Sequence, residues 1–165
     1  MSVAETRFDQ ILELLNRGGI RFIVIGGIAA IAHGNARATF DVDVVYSRDP
    51  ENLKQLANIL SPCQPYLRGA PLGLPFTWDE KTIRMGLNFT LTTTLGNLDL
   101  LGEVAGAGNY EQLLPHSVEM VIFGVKCRCT TLDRLIQMKR AAGRPKDMEI
   151  IAELQALLEE RRKRE

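Results

Sequence analysis

Apolar and polar positions alternate with different periods along the chain, and the changes of period mark its elements. In "ETRFDQILELLNRGG" Phe8, Ile11, Leu12 and Leu15 recur at helical spacing and stop at Gly18-Gly19, which predicts a helix with a glycine end. "IRFIVI" is a short β-branched run that closes on Gly26-Gly27. The small residues of "IAAIAHG" after it suit a short helix packed closely on a sheet. "TFDVDVVYS" reads as a second strand, and "DPENLKQLANIL" as a helix with Asp49 at its N-cap and Pro50 at its first position. The order strand, glycine turn, helix, strand, helix predicts two successive crossovers.

From Ser61 to Glu80, prolines 62, 65, 71 and 75 with Gly69 and Gly73 predict a long irregular loop, a candidate lid or substrate-facing flap. "MGLNFTLTTTLGNLDLLGEV" predicts a hairpin turning near Gly96-Asn97, and "SVEMVIFG" with "VKCRCTT" a second one turning at Gly124. Two helices follow. Thr130 or Thr131 caps "TLDRLIQMKRAAG", Gly143 ends it, and Pro145 opens the last helix, whose apolar stripe is Met148, Ile151, Leu154 and Leu158. "EERRKRE" reads as a solvated, fraying end. Neither a repeat nor a linker interrupts the pattern, so one domain spanning 1–165 is expected.

Composition narrows the picture only a little. The chain is 45% hydrophobic, and its 20 Lys+Arg balance 20 Asp+Glu, so no global basic field points to nucleic acid. No apolar run approaches the roughly 20 residues of a bilayer span, and "MSVAETRFDQ" lacks a secretory core, so no membrane association and a cytoplasmic location are expected. Cys63, Cys127 and Cys129 have neither disulfide-framework nor zinc-ribbon spacing, and they read as reduced, structural thiols.

The chemistry lies in "FDVDVV". Residues two apart on a strand share a face, so Asp41 and Asp43 point the same way while Phe40, Val42 and Val44 point to the other side. Two adjacent carboxylates repel unless a cation or a proton lies between them. Magnesium, which favours carboxylate oxygen and keeps positions for water and substrate phosphate, suits such a pair. A glycine turn before a helix supplies backbone N–H groups and a positive helix end for phosphate. A two-metal site also needs a further ligand and the attacking hydroxyl a base. Asp99, polar between Leu98 and Leu100, is the candidate, ahead of Asp79, Glu80 and Glu103.

Taken together, "VIGG", the spacer 28–40, "DVD" and the later "LDLL" resemble the nucleotidyltransferase superfamily of DNA polymerase β type. "GGIAAIAHGNARATFDVDVV" and "LIQMKRAAGRPKDMEII" are similar to small bacterial abortive-infection and toxin–antitoxin members, over about Phe22 to Ile151. The resemblance implies an α+β nucleotidyltransferase fold, a mixed sheet flanked by helices with a short C-terminal helical pair at 131–162. It implies that Gly26 and Gly27 contact the triphosphate and that Asp41, Asp43 and Asp99 hold two magnesium ions, with manganese as an alternative, Asp99 also orienting or deprotonating the acceptor. Arg37 and Thr39 would contact phosphate, and Lys139, Arg144, Lys146 and Asp147 would form a late cluster at the nucleotide. Many superfamily members carry serine where this chain has Gly27.

Some of these residues have blander readings. Arg37 could pair with a neighbouring acid, Asp147 could complement a helix N-terminus, and His33 reads as a helix-end residue rather than a base. The implied partners are a nucleoside triphosphate, a macromolecular acceptor that is a protein or a transfer RNA, and a cognate toxin or antitoxin. The rival is a catalytically inactive module of the same fold that binds a partner, as an antitoxin does. Convergence of the three carboxylates beside Gly26-Gly27 discriminates between the two.

Overall fold

The computed structural model describes residues 5–165. Helix α1 (Phe8–Arg17) buries Ile11, Leu12 and Leu15 and stops at Gly18, as its spacing predicts. Strand β1 (Phe22–Ile25) is buried at every position and runs directly into α2 (Gly26–Ala32), so the glycine pair forms the helix start rather than a separate turn. Then come β2 (Asp41–Tyr46), α3 (Pro50–Leu60) and a short 3-10 turn at Ser61–Cys63. Asp49 occupies the N-cap of α3, but its carboxylate accepts from Arg21 at 2.6 Å instead of capping the helix.

The segment 61–80 is less irregular than its prolines predict. Tyr66–Leu67 form β3, an edge strand just long enough to fit between Pro65 and the turn at Gly69, and Asp79 caps α4 (Glu80–Met85) by accepting from the Thr82 N–H at 2.8 Å. Phe76 packs edge-on to Tyr66 and stands 6.5 Å from Trp78, whose ring meets Phe89 edge-on at 5.7 Å. The loop is thereby fastened to the body of the protein at both ends.

Both hairpins form, as β4 (Asn88–Thr93) with β5 (Gly96–Leu101) and β8 (Ser117–Ile122) with β9 (Val125–Thr130). The first turns at Thr94-Leu95, two residues earlier than Gly96-Asn97, because Gly96 already pairs with Thr93. The second turns through Phe123 and Gly124, both at positive φ, the twist that suits a two-residue hairpin. Between the hairpins lie the short strands β6 (Glu103–Val104) and β7 (Gly108–Asn109) and the single turn α5 (Tyr110–Leu113), too brief to leave a periodic signal. Helices α6 (Leu132–Ala142) and α7 (Met148–Arg164) close the chain.

The main sheet has the order β3-β4-β5-β2-β1-β9-β8 and is mixed. β2 runs parallel to β5, and β1 parallel to β9. β1 and β2 are antiparallel, which corrects the first expected crossover. The seven residues of α2 rise only about 10 Å, and residues 33–40 bring the chain back to the end of the sheet that it left. The core is continuous across the sheet: Val42, Val44, Leu91, Leu98 and Leu100 join Leu12 and Leu15 of α1, Leu53 and Leu56 of α3 and Ile83 of α4. In α7 the stripe is rotated from its expected position, with Leu154 fully buried and Met148 66% exposed. Arg161 is not left to fray, since it donates to the His33 carbonyl at 3.0 Å. Among the described residues, no helix is long and apolar enough to cross a membrane.

Candidate active site

Register assembles the site. Asp43 pairs with Asp99 across the parallel β2–β5 ladder, Ile25 is its partner on β1, and Thr90 is the partner of Asp99 on β4. Paired residues of neighbouring strands share a face, so Ile25, Asp43, Asp99 and Thr90 form one row across the sheet. Asp41 stands one pleat away, opposite Asn97, whose amide donates to Asp41 Oδ1 at 3.1 Å. The carboxylates of Asp41, Asp43 and Asp99 each offer an oxygen within 4.8 Å of the others. They converge as the catalytic reading requires, while Val42, Val44, Leu98 and Leu100 carry the core on the opposite side.

Asp43 is the most perturbed of the three. Burial first, then the charges of Asp99 and Asp41, push its carboxyl up to about 7 against a partial opposing pull from Lys139. Its Oδ1 is buried without a hydrogen-bond partner. An unpartnered buried oxygen on a carboxyl that converges with two further carboxylates is the donor set that a hard divalent cation satisfies, so the residues fit a metal.

The glycine pair is required by packing. Gly26 has φ +70°, and a β-carbon there would overlap Asp43 Oδ2. One at Gly27 would lie 2.5 Å from Thr39 Oγ1. Thr39 therefore fills the space that a side chain at position 27 would use, and it sets a hydroxyl beside the first turn of α2. The departure from the serine pattern is thus matched by a neighbour.

On the α6 side, Lys139 and Arg144 line a cleft of about 340 Å³ with Gly26, Asp43 and Asp99, walled by Leu101, Val104, Leu135 and Met138. Asp147 organises this side from behind. Only 2% exposed, it accepts from Arg144 Nε at 2.7 Å and lies 3.8 Å from Lys139 Nζ. It is an anchor for two cations, not a member of the cleft wall. Lys146 is exposed and, among the described residues, makes no ion pair.

Arg37 requires a correction. Its Nε donates to Glu153 at 2.8 Å and its Nη2 to Glu149 at 3.0 Å, two acids one turn apart on α7. The guanidinium clamps the 33–40 segment to that helix and is not turned to the carboxylates. The sequence places Arg37 two residues from Thr39 but gives no hint that acids more than 110 positions later claim it. His33 caps the end of α2: it is buried, donates from Nε2 to the Thr130 carbonyl at 2.7 Å, and its pKa is lowered chiefly by desolvation. Cys127 and Cys129 lie in β9, where burial pushes them up to about 11 and about 12, so both stay neutral thiols.

Two further residues stand at the acids, and the sequence marks Arg68 only as one of several scattered basic side chains suggestive of a basic surface near the cleft. Arg68 Nη2 donates to Asp99 Oδ1 at 2.7 Å, and Nη1 stands 3.7 Å from Asp41 Oδ2. Asn97 was missed, although its position two residues before Asp99 on one strand is a signal that alternation could have supplied.

No protein-family model matches this sequence, and neither does any curated protein. Solved structures do match. One is the crystal structure of a Thermotoga maritima protein described as a candidate nucleotidyltransferase, superposing with a TM-score of 0.57 over 90% of each chain at 14% identity. At that identity the likeness establishes the fold, which is the nucleotidyltransferase fold.

Proposed function

We propose that the protein is a metal-dependent nucleotidyltransferase that moves a nucleoside monophosphate from a nucleoside triphosphate to a hydroxyl on a macromolecule, a protein or a transfer RNA, in a toxin–antitoxin or phage-defence setting. The observation that carries this reading is the convergence of Asp41, Asp43 and Asp99, with Asp43 Oδ1 unpartnered. The rival of an inactive partner-binding module keeps the fold but gives no reason to retain three mutually repelling carboxylates on one sheet face.

Asp41, Asp43 and Asp99 would hold magnesium, or manganese in its place, which when bound supplies charge stabilisation at the attacking and leaving oxygens. Gly26 and Gly27 bring backbone N–H groups to the triphosphate, and Thr39 adds a hydroxyl beside them. Lys139 and Arg144, held by Asp147, offset the negative charge from the other wall. Asp99 orients the acceptor hydroxyl and takes its proton as the oxygen attacks the α-phosphorus. The bond from the α-phosphorus to the bridging oxygen breaks, and pyrophosphate leaves. Incubation with α-labelled triphosphates and either cell protein or transfer RNA tests this. Label incorporated by wild type and lost with Asp41→Asn or Asp99→Asn is the expected result, and no incorporation into either acceptor from any of the four triphosphates would refute it.

A further inference from the structure

Arg68 follows β3 directly, and the mechanism above gives it no task. Its backbone N–H donates to the Thr90 carbonyl at 3.0 Å, which carries the pairing of β3 with β4 one residue further. The side chain consequently lies on the same sheet face as Thr90, Asp99 and Asp43. Besides reaching Asp99 and Asp41, Nη2 donates to the Leu91 carbonyl at 2.7 Å, and Nε is buried without a partner. A single guanidinium thus bridges two acids of the triad and leaves the third, Asp43, untouched.

We propose that Arg68 is a resident cation of the metal site: it holds Asp41 and Asp99 together before metal arrives, and a divalent ion gains those two carboxylates by exchange with its guanidinium. This rests on the metal-site reading given above. Three carboxylates this close repel strongly at low dielectric, and a charge-assisted bond of 2.7 Å to Asp99 is a direct offset. The same bond stands in the way of loading. Magnesium sits about 2.1 Å from a carboxylate oxygen, so an ion on Asp99 Oδ1 would lie within about 5 Å of the guanidinium that now occupies it, with like charges facing each other.

The exchange needs only a side-chain rotation. The Arg68 backbone is fixed by Thr90, the Leu91 carbonyl is a second acceptor on which the guanidinium can remain, and the unpartnered Nε loses no hydrogen bond on moving. The released charge stays on the β4 side of the acids, across from Gly26 and Lys139. Asp43, which Arg68 does not touch, is open to metal without displacement.

The test titrates Mn²⁺ into wild type, Arg68→Ala, Arg68→Lys and Lys139→Ala, reading free ion by electron paramagnetic resonance, and melts each protein with and without Mn²⁺. Arg68→Ala should bind Mn²⁺ about tenfold more tightly, the equivalent of one competing charge-assisted hydrogen bond removed. Metal-free, it should melt below wild type, with the gap closing in saturating Mn²⁺. Lys139→Ala removes a positive charge from the same cleft without freeing Asp41 or Asp99, and it should gain less. Affinity of Arg68→Ala no higher than that of wild type, or a gain matched by Lys139→Ala, overturns the exchange. If Arg68→Ala does not fold, Arg68→Lys decides: it keeps the charge but not the two-armed bridge, so tighter binding than wild type supports the proposal and equal or weaker binding overturns it. Wild type failing to bind Mn²⁺, with Asp41→Asn indistinguishable from it, removes the metal site itself and the exchange with it.

Discussion

Replacing Gly26 by alanine adds one methyl group where β1 passes into α2. The residue holds φ +70°, a region in which an L side chain costs about 1–2 kcal/mol. The methyl would also overlap Asp43 Oδ2, with Cβ and Cγ of Asp43 each 3.0 Å away. Asp43 has little room to retreat, because β2 is held between β5 and β1. Overpacking of this kind adds about 1–3 kcal/mol, offset in part if the carboxylate is pushed outward and rehydrated. A net loss of about 2–4 kcal/mol is expected, and for a chain of 165 residues that is a fall in Tm of roughly 4–16 °C. Thermal melts and Mn²⁺ titrations of Gly26→Ala beside Gly27→Ala check it. The second variant meets Thr39 rather than an acid and lies at an ordinary φ, so it should lose less stability and keep more metal affinity. If Gly26→Ala melts within about 2 °C of wild type and binds Mn²⁺ equally well, the packing of glycine against Asp43 is not what the site depends on.

Three further outcomes follow from the same geometry. The folded-state pKa of Asp43, about 7, lies above the ordinary aspartate value of 3.8, so its contribution to stability is fully present below about 3.8 and is lost as pH rises through about 7. Metal-free wild type should therefore lose on the order of 4 kcal/mol between those limits in urea melts at stepped pH. Asp43→Asn should flatten that slope, and an equally steep slope in the variant would place the titration elsewhere. Asp147→Ala leaves Lys139 and the half-exposed Arg144 without their shared buried partner and should cost about 1–3 kcal/mol. Triphosphate affinity should fall with it, and a variant that melts like wild type would show that Asp147 anchors nothing. Arg37→Ala should lower Tm slightly, in a salt-dependent way, and leave triphosphate binding unchanged by calorimetry; loss of binding would return Arg37 to the phosphate site.

How far the sequence reveals the site depends on the range of each signal. Asp41 and Asp43 are legible because strand alternation is local: two carboxylates at spacing two amid valines can only share a face. Asp99 is legible for the same reason, between Leu98 and Leu100, and the mixed sheet follows from the resemblance those acids carry. The place of Arg68 at the acids is not legible. The strand that aims it is two residues long and lies among prolines that read as loop, and its partners are 27 and 31 positions away by number. Arg37 illustrates the opposite error, a cation near the acids in sequence that acids on α7 have engaged. Direction was illegible too, since strand–helix–strand order does not reveal whether β2 returns parallel or antiparallel to β1.

On the function proposed above, the three acids bind a triphosphate through divalent metal. Calorimetric titration of each nucleoside triphosphate into wild type and into the Asp41→Asn/Asp43→Asn double variant, with and without magnesium, tests it most directly. Binding of at least one triphosphate that needs magnesium and disappears in the double variant is the expected result. Binding that is indifferent to magnesium, or that survives loss of both aspartates, would contradict it.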